Sequence, residues 1–307
     1  MTRALAFMVL LLGAGVAASP ALGASYYIST AGADANPGTE AQPWRNPWAI
    51  ATKTFSPGDT VYVKSGTYTI STQSWSVFNC PTVHFRQSGN SSNDIAMRPY
   101  PGHAVVFDPN GGQPTLGSCD DFSVSYTAFY DIKIINGGGR AVTLSSGNHH
   151  RLDGLEITHL PNGCSPCGDE TVNINAVRVD SSHDCLVRNL YIHDWATVRN
   201  DGNAAAIQVY GAQRCVFENN RIENAPGGIT FKATVATGTN HDNIVRYNFL
   251  KDLSVEGARF SSSDNLTNSG NQFHHNICVN TGNCLDQKND AAGTFNNDTR
   301  VYNNTVY

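Results

Sequence analysis

Asparagine recurs at 220, 248, 276 and 304, in three equal steps of 28 residues. Each stands two residues before the last residue of a six-residue segment that opens and closes on an apolar side chain. Seven such segments align without gaps: Phe129 to Ile134, Leu152 to Ile157, Val187 to Ile192, Phe217 to Ile222, Val245 to Leu250, Phe273 to Cys278 and Val301 to Val306. Their closing residues are 23, 35, 30, 28, 28 and 28 positions apart. Self-similarity at such a period is the signature of stacked supersecondary units. A lone Asn is usually a turn residue. Four in register predict a ladder, in which each amide bonds the next coil and satisfies buried backbone at a bend. The same place in the earlier coils holds Ile132, Leu155 and Leu190, so the stack changes its chemistry there while keeping its geometry.

Between these segments lie short stretches of alternating pattern: Val177 to Asp180, Ile207 to Tyr210, Ile229 to Lys232, Ala258 to Ser261 and Leu285 to Lys288. Their first and third residues are mostly apolar and point inward if the stretches are strands. Gly and Asn punctuate the corners. An antiparallel sandwich would show alternating short loops, without identical residues returning in phase. Parallel stacking instead puts equivalent residues about 4.8 Å apart. The expected fold is all-β: a single-stranded right-handed parallel β-helix with a short N-terminal cap helix near Trp44 to Ala51. Cys185 and Cys215 each lie seven residues before a closing position, so they should stack as core thiols. In-register parallel stacking is poor geometry for a disulfide.

Only 15% of the 307 residues are charged and 40% are hydrophobic, which excludes both a charged helical bundle and a disordered chain. Arg3, the apolar run Ala4 to Val16 and small residues around Ala18, Ala21, Gly23 and Ala24 read as a signal peptide over 1–24, too short for a membrane span. One domain is expected over 25–307, with 25–70 as cap and first coil, in a secreted protein of extracellular or periplasmic space. Loss of Arg3 with the leader takes the formal net charge from −5 to −6. That excludes a wholesale basic surface for nucleic acid, and a polyanion would need a local basic strip or a bridging cation. Export permits disulfides among the eight cysteines. Cys164-Ser-Pro-Cys167 reads as a small disulfide-closed loop, because no second CxxC completes a zinc site. Cys80–Cys119 and Cys278–Cys284 are further expected pairs.

The N-terminal stretch reads Tyr26-Tyr27-Ile28-Ser29 through Asn36-Pro37-Gly38-Thr39, then Gln42-Pro43-Trp44, then Pro57-Gly58-Asp59-Thr60-Val61-Tyr62-Val63 and Gly66-Thr67-Tyr68. This resembles the opening of the secreted β-helix proteins of the pectate-lyase-like superfamily. The resemblance covers nearly the whole mature chain and implies the fold more firmly than the reaction.

On a β-helix the outward residues of one sheet form columns along a groove. The strand register predicts one column of Arg178, Gln208, Thr230, Arg259 and Asp286, and another of Asp180, Tyr210, Lys232, Ser261 and Lys288. β-Elimination from a uronate needs a cation to neutralise the substrate carboxylate and a base for the C5 proton. Lys232 is the candidate base, Arg259 the neutraliser and Tyr210 the proton donor to the leaving oxygen. Arg178, Gln208 and Lys288 are candidate substrate-binding residues. A Lys–Arg pair on neighbouring coils is similar to that of the alginate lyase and chondroitinase B family, although their Arg-His-Gly motif reads Arg259-Phe260-Ser261 here. Asp180 and Asp184 are the candidate ligands of a Ca²⁺ ion. The Asp-Asp-Gly-Trp-Asp calcium motif of exo-acting pectate lyases is absent, as are the Asn-Thr-Asp and Gly-His-Gly motifs of polygalacturonases and the Asp-Pro-His-Asp motif of alginate epimerases.

These readings converge on a polysaccharide lyase acting on an acidic glycan. The rivals are a non-catalytic glycan-binding β-helix and a glycoside hydrolase, which needs paired carboxylates about 5–10 Å apart. Outward Lys, Arg and Asp on a solenoid are most often a solvated face. The extra residues near Pro161 to Asn173 are expected to wall the groove. The last closing residue, Val306, is one residue from the end of the sequence. The expectation is therefore a fragment or an end covered by a partner, and otherwise a monomer.

Overall fold

A computed structural model describes residues 23–70, 81–110, 115–119, 123–137, 140–159, 175–195, 204–262, 266–289 and 298–307. The leader, the 161–173 insertion, Cys80 and the Cys164–Cys167 pair lie outside the described residues.

The chain winds through parallel strands that form three faces. The first is a ten-stranded sheet running from Ser25–Ile28 to Arg300–Tyr302. The other two belong to one fourteen-stranded sheet that bends round a corner. It bends because three long strands, Arg221–Ala233, Phe249–Ser262 and Ile277–Asn289, run from the second face into the third. Every pairing between the named strands is parallel. That excludes the antiparallel sandwich. Connections of this parallel kind are right-handed almost without exception.

Each repeated segment straddles the corner between the first two faces. Its opening residues stack as Phe129, Leu152, Val187, Phe217, Val245, Phe273 and Val301. All but Val301 are fully buried. The closing residues stack likewise from Ile134 to Val306. The corner is turned by one left-handed residue per coil: Asp131, Gly154, Asn189, Asn219, Tyr247, His275 and Asn303, at φ between 50° and 75°. Gly, Asn and Asp tolerate that conformation best. Tyr247 and His275 show that the repeat imposes it on other residues too.

The next position inward carries the asparagine ladder. Asn220 Nδ2 donates to Asn248 Oδ1 at 3.0 Å, Asn248 to Asn276 at 2.9 Å, and Asn276 to Asn304 at 3.0 Å. Each Oδ1 also accepts the backbone N–H of the preceding asparagine. Two further ladders were not anticipated from the sequence: Asn240 onto Asn268 at 3.3 Å, and Asn243 onto Asn271 at 3.0 Å. Cys185 and Cys215 are buried thiols without a disulfide in the column that continues through Asn243 and Asn271. The preceding coil of that column holds His150, whose Nδ1 lies 2.8 Å from Thr127 Oγ1. The column therefore spans imidazole, thiol and amide within one core. Cys278–Cys284 forms a disulfide, and Cys119 is also disulfide-bonded.

At the N-terminal end, Pro47–Thr52 is a 3₁₀-helix, not an α-helix. Its Ala49 and Ile50 join the same core as Trp44, on which Tyr26 stacks at 5.4 Å. Asp59 of the Pro-Gly-Asp stretch is buried and accepts the N–H of Ala24 and Ser56, tying Ala24 to the first turn. On the outside of the first face, charges alternate from coil to coil: Asp153 pairs with Arg188 at 2.8 Å, and Glu218 with Arg246 at 2.6 Å.

Candidate functional site

The third face collects the strands Arg140–Ser145, Asn175–Asp180 and Ile207–Tyr210, then the second halves of the three long strands. Inward residues Val177, Ile207, Ile229 and Ala258, with Val179, Val209, Phe231 and Phe260, are fully buried. Alternation then aims the intervening residues outward. The register matches both expected columns. Arg178, Gln208, Thr230, Arg259 and Asp286 are aligned, as are Asp180, Tyr210, Lys232, Ser261 and Lys288. Lys232 and Arg259 therefore sit on adjacent coils, two positions apart along the strand.

The face differs from the open, solvated groove that the pattern suggests. Gln208 and Thr230 are 0% exposed, and Asp180, Tyr210 and Ser261 are buried as well. Lys232, Arg178 and Arg259 are partly buried, and only the Lys288 end is exposed.

The arginines have partners within the protein. Arg178 Nε bonds Asp180 Oδ2, and its guanidinium lies 4.4 Å over the Tyr210 ring. The stacked guanidinium takes one face of the proposed proton donor. Arg259 Nη2 donates to Glu256 Oε2 at 2.8 Å. Its Nε lies 3.3 Å from Asp286 Oδ2, an ion contact without hydrogen-bond alignment. Arg259 thus holds two carboxylates from adjacent coils.

Glu256 was missed at the sequence level. It sits where the pairing of Phe249–Ser262 slips at the corner, so strand alternation gave no way to assign it a face. It is 2% exposed, and Thr230 Oγ1 lies 3.4 Å from its Oε1. Burial pushes its carboxyl above the ordinary range, and nearby Asp286 adds to this. Arg259, Thr230 and Lys288 oppose the shift without cancelling it. A buried carboxyl held towards its neutral form beside a cation is the arrangement expected of a proton-handling group.

Asp180 and Asp184, the expected calcium ligands, are each engaged by an arginine. Asp180 is engaged by Arg178. Asp184 lies round the next corner at φ 56°, held at 2.8 Å by both Nε and Nη2 of Arg214 and at 2.7 Å by His183. Those contacts, Arg214 foremost, bring its carboxyl down to about 2. Two carboxylates already matched by arginines offer a divalent cation little. Among the described residues no cluster of three His, Cys, Asp or Glu side chains converges as a metal site. Asp180 and Asp286 share this face but lie four coils apart in the register, too far to act as a hydrolase's carboxylate pair.

Comparison with known proteins places these observations. Pectate lyase PEL9 of Emericella nidulans is 26% identical over 144 residues, which is 42% of this chain and 32% of that protein. The chain thus matches about a third of the length of that relative. Among solved structures, the complex of XylC with xylose superposes with a TM-score of 0.59 at 11% identity, covering 92% of this chain and 68% of the other. Endopolygalacturonase I from Stereum purpureum does so at 0.52 and 12%, covering 82% and 88%. At such identities these two show the fold alone. The model of the "Pel9A-like, right handed beta helix region" matches residues 26–307. With its parallel coils, its corner ladders and a match over the whole described body, the chain belongs to the Pel9A-like right-handed β-helix family.

Proposed function

We propose that the protein is an exported polysaccharide-cleaving enzyme that acts on an acidic glycan by β-elimination. The observation that carries this is the placement of Lys232 and Arg259 on adjacent coils of one outward face. The family assignment and the pectate lyase relative support it. In this reading the uronate carboxylate meets the outer donors of Arg259, whose orientation Glu256 and Asp286 fix. The C5 proton then becomes acidic enough for Lys232 to remove. Electrons move from the broken C5–H bond into a C4–C5 double bond, and the C4–O bond breaks. Tyr210, held under Arg178, is the proposed donor of a proton to the leaving oxygen. Arg178, Gln208 and Lys288 are proposed to line the glycan path. No step is routed through calcium, because Asp180 and Asp184 do not fit it. No helix among the described residues is long and apolar enough to cross a membrane, and export rests on the leader-like N-terminus.

The test is the ultraviolet absorbance of unsaturated uronate products from polyuronates, with wild type against Lys232→Ala. Wild type is expected to produce them and Lys232→Ala to lose at least about a hundredfold in rate, the low end for a general base. Equal rates would remove Lys232 from the mechanism.

Glu256 and Asp286, both on Arg259, favour one second reading, glycoside hydrolysis by a carboxylate pair. New reducing ends without unsaturated product, lost in Glu256→Gln, would select it.

A further inference from the structure

A substrate carboxylate at Arg259 would not find a guanidinium waiting for an anion. Glu256 Oε2 already accepts from its Nη2 at 2.8 Å, and Asp286 Oδ2 lies 3.3 Å from its Nε. A uronate would be the third carboxylate around one cation. Carboxylates crowded in this way cannot all stay ionised at their ordinary cost, and one of them takes up a proton.

The surroundings of the two protein carboxyls differ. Asp286 has 30% of its side chain exposed and stands at the rim near exposed Lys288, so water can solvate its charge. Glu256 lies behind the rim with 2% of its side chain exposed, and Arg259 is the ion-pair partner that balances it. The charged groups acting on Glu256 are Arg259 from its own strand and Asp286 and Lys288 from the following coil. The preceding coil faces it with Gly227, its register partner, and with Thr230, while Lys232 follows two positions further along that strand. Once Arg259 is shared with a substrate anion, an ionised Glu256 would lose part of its compensation without gaining water. Its neutral form is better provided for. Thr230 Oγ1, 3.4 Å from Oε1, can accept the carboxyl proton, while Oε2 keeps the bond from Arg259. Burial and Asp286 already push this carboxyl upward in the free protein, and a uronate would push the same way.

We propose that uronate binding at Arg259 is coupled to the uptake of one proton by Glu256, so that a substrate anion replaces a protein anion and acidic glycan binds more weakly as the solution becomes more alkaline. This rests on reading Arg259 as the neutraliser of the uronate. The proton comes from solvent, goes to Oε1 and leaves again with the glycan, and no other bond is made or broken.

The test reads binding by titration calorimetry of the full chain with oligogalacturonate. It uses Lys232→Ala protein, which retains Arg259, Glu256 and Asp286 and is expected to leave the probe uncleaved. Titrations at several pH values between about 5 and 8, each in two buffers of different ionisation enthalpy, count the protons taken up. The expected result is an uptake approaching one proton in part of that range, with Kd rising there by up to about tenfold per pH unit. Adding Glu256→Gln should abolish the uptake and flatten Kd. Adding Asp286→Asn instead should leave an uptake in place. Binding without proton uptake at every pH overturns the coupling, and that result needs no second variant to fold. So does an uptake that survives Glu256→Gln, or one lost only in Asp286→Asn. In each of those cases the uronate site itself still stands. If oligogalacturonate does not bind at any pH, the uronate reading fails and the coupling fails with it.

Discussion

Replacing Asn248 by leucine isolates the polar work of the ladder. Leucine already occupies the equivalent place at 155 and 190, so the corner accepts its shape. Four bonds are lost. Asn248 Oδ1 accepts from Asn220 N and Asn220 Nδ2, both at 3.0 Å. Its Nδ2 donates to Phe217 O at 3.0 Å and Asn276 Oδ1 at 2.9 Å. Asn276 Oδ1 keeps the N–H of residue 248, and Asn220 Nδ2 keeps Val187 O. The buried N–H of Asn220 keeps nothing comparable. Stranding that donor costs ~1–3 kcal/mol and the other three bonds ~1 kcal/mol each. The added apolar burial returns ~1–2 kcal/mol. The net expectation is a loss of ~2–5 kcal/mol, read as a shift in urea midpoint at constant slope. Asn304→Leu is the internal control. Its three bonds are similar in length, but it lies in the partly exposed last coil, where water can replace them. It should cost under about 1 kcal/mol. If Asn248→Leu costs no more than Asn304→Leu, buried amide pairing is not what holds this corner.

Burial holds the His150 imidazole down to about 4 from its usual 6.5. The stability this neutral form contributes is present above pH 6.5 and lost as pH falls towards 4, by roughly 3 kcal/mol. His150→Asn, which borrows the residue of Asn243 and Asn271, should flatten that loss in urea melts across the same range. A slope unchanged in the variant would assign the acid sensitivity elsewhere. Glu256 has the opposite sign: its raised carboxyl contributes stability present below its ordinary value of 4.5 and lost as pH rises through the folded value. Glu256→Gln should therefore reduce the fall in thermal midpoint over that rise, and an identical profile would refute the assignment. The Cys185 and Cys215 thiols, buried, with the neighbouring Cys215 thiol and then burial pushing Cys185 up, should resist alkylation in the native protein and react fully in denaturant. Fast native labelling would contradict a closed core.

Much of the fold was legible because a solenoid writes its register into the spacing of its residues. The segments from Phe129 to Val306, both outward columns and the ladder at 220 to 304 follow from a constant phase. The ladders at Asn240 and Asn243 have the same 28-residue period but have only two described rungs each, which hides them beside ordinary turn asparagines. The site was less legible. Alternation tells which residues point outward, so the placement of Lys232 and Arg259 on that face was readable. It says nothing about what lies over that face, so the burial of Gln208 and Thr230 was not. Glu256 escaped because the register slips at its corner. Asp180 and Asp184 were paired by closeness in sequence, although a bend separates them and an arginine claims each.

The alternating charges outside the first face bear on how such a stack avoids misassembly. Its interior is nearly degenerate: Phe129, Leu152, Val187, Phe217 and Val245 are all apolar and in phase, so a coil that docked one place too far would still bury hydrophobic surface. The order Asp153, Arg188, Glu218, Arg246 is not degenerate. Skipping one coil would set Asp153 beside Glu218, or Arg188 beside Arg246, at a separation of about 5 Å. Like charges that close are unfavourable even near solvent. The surface thus acts as a parity check on coil order during folding, a discrimination the core cannot make for itself.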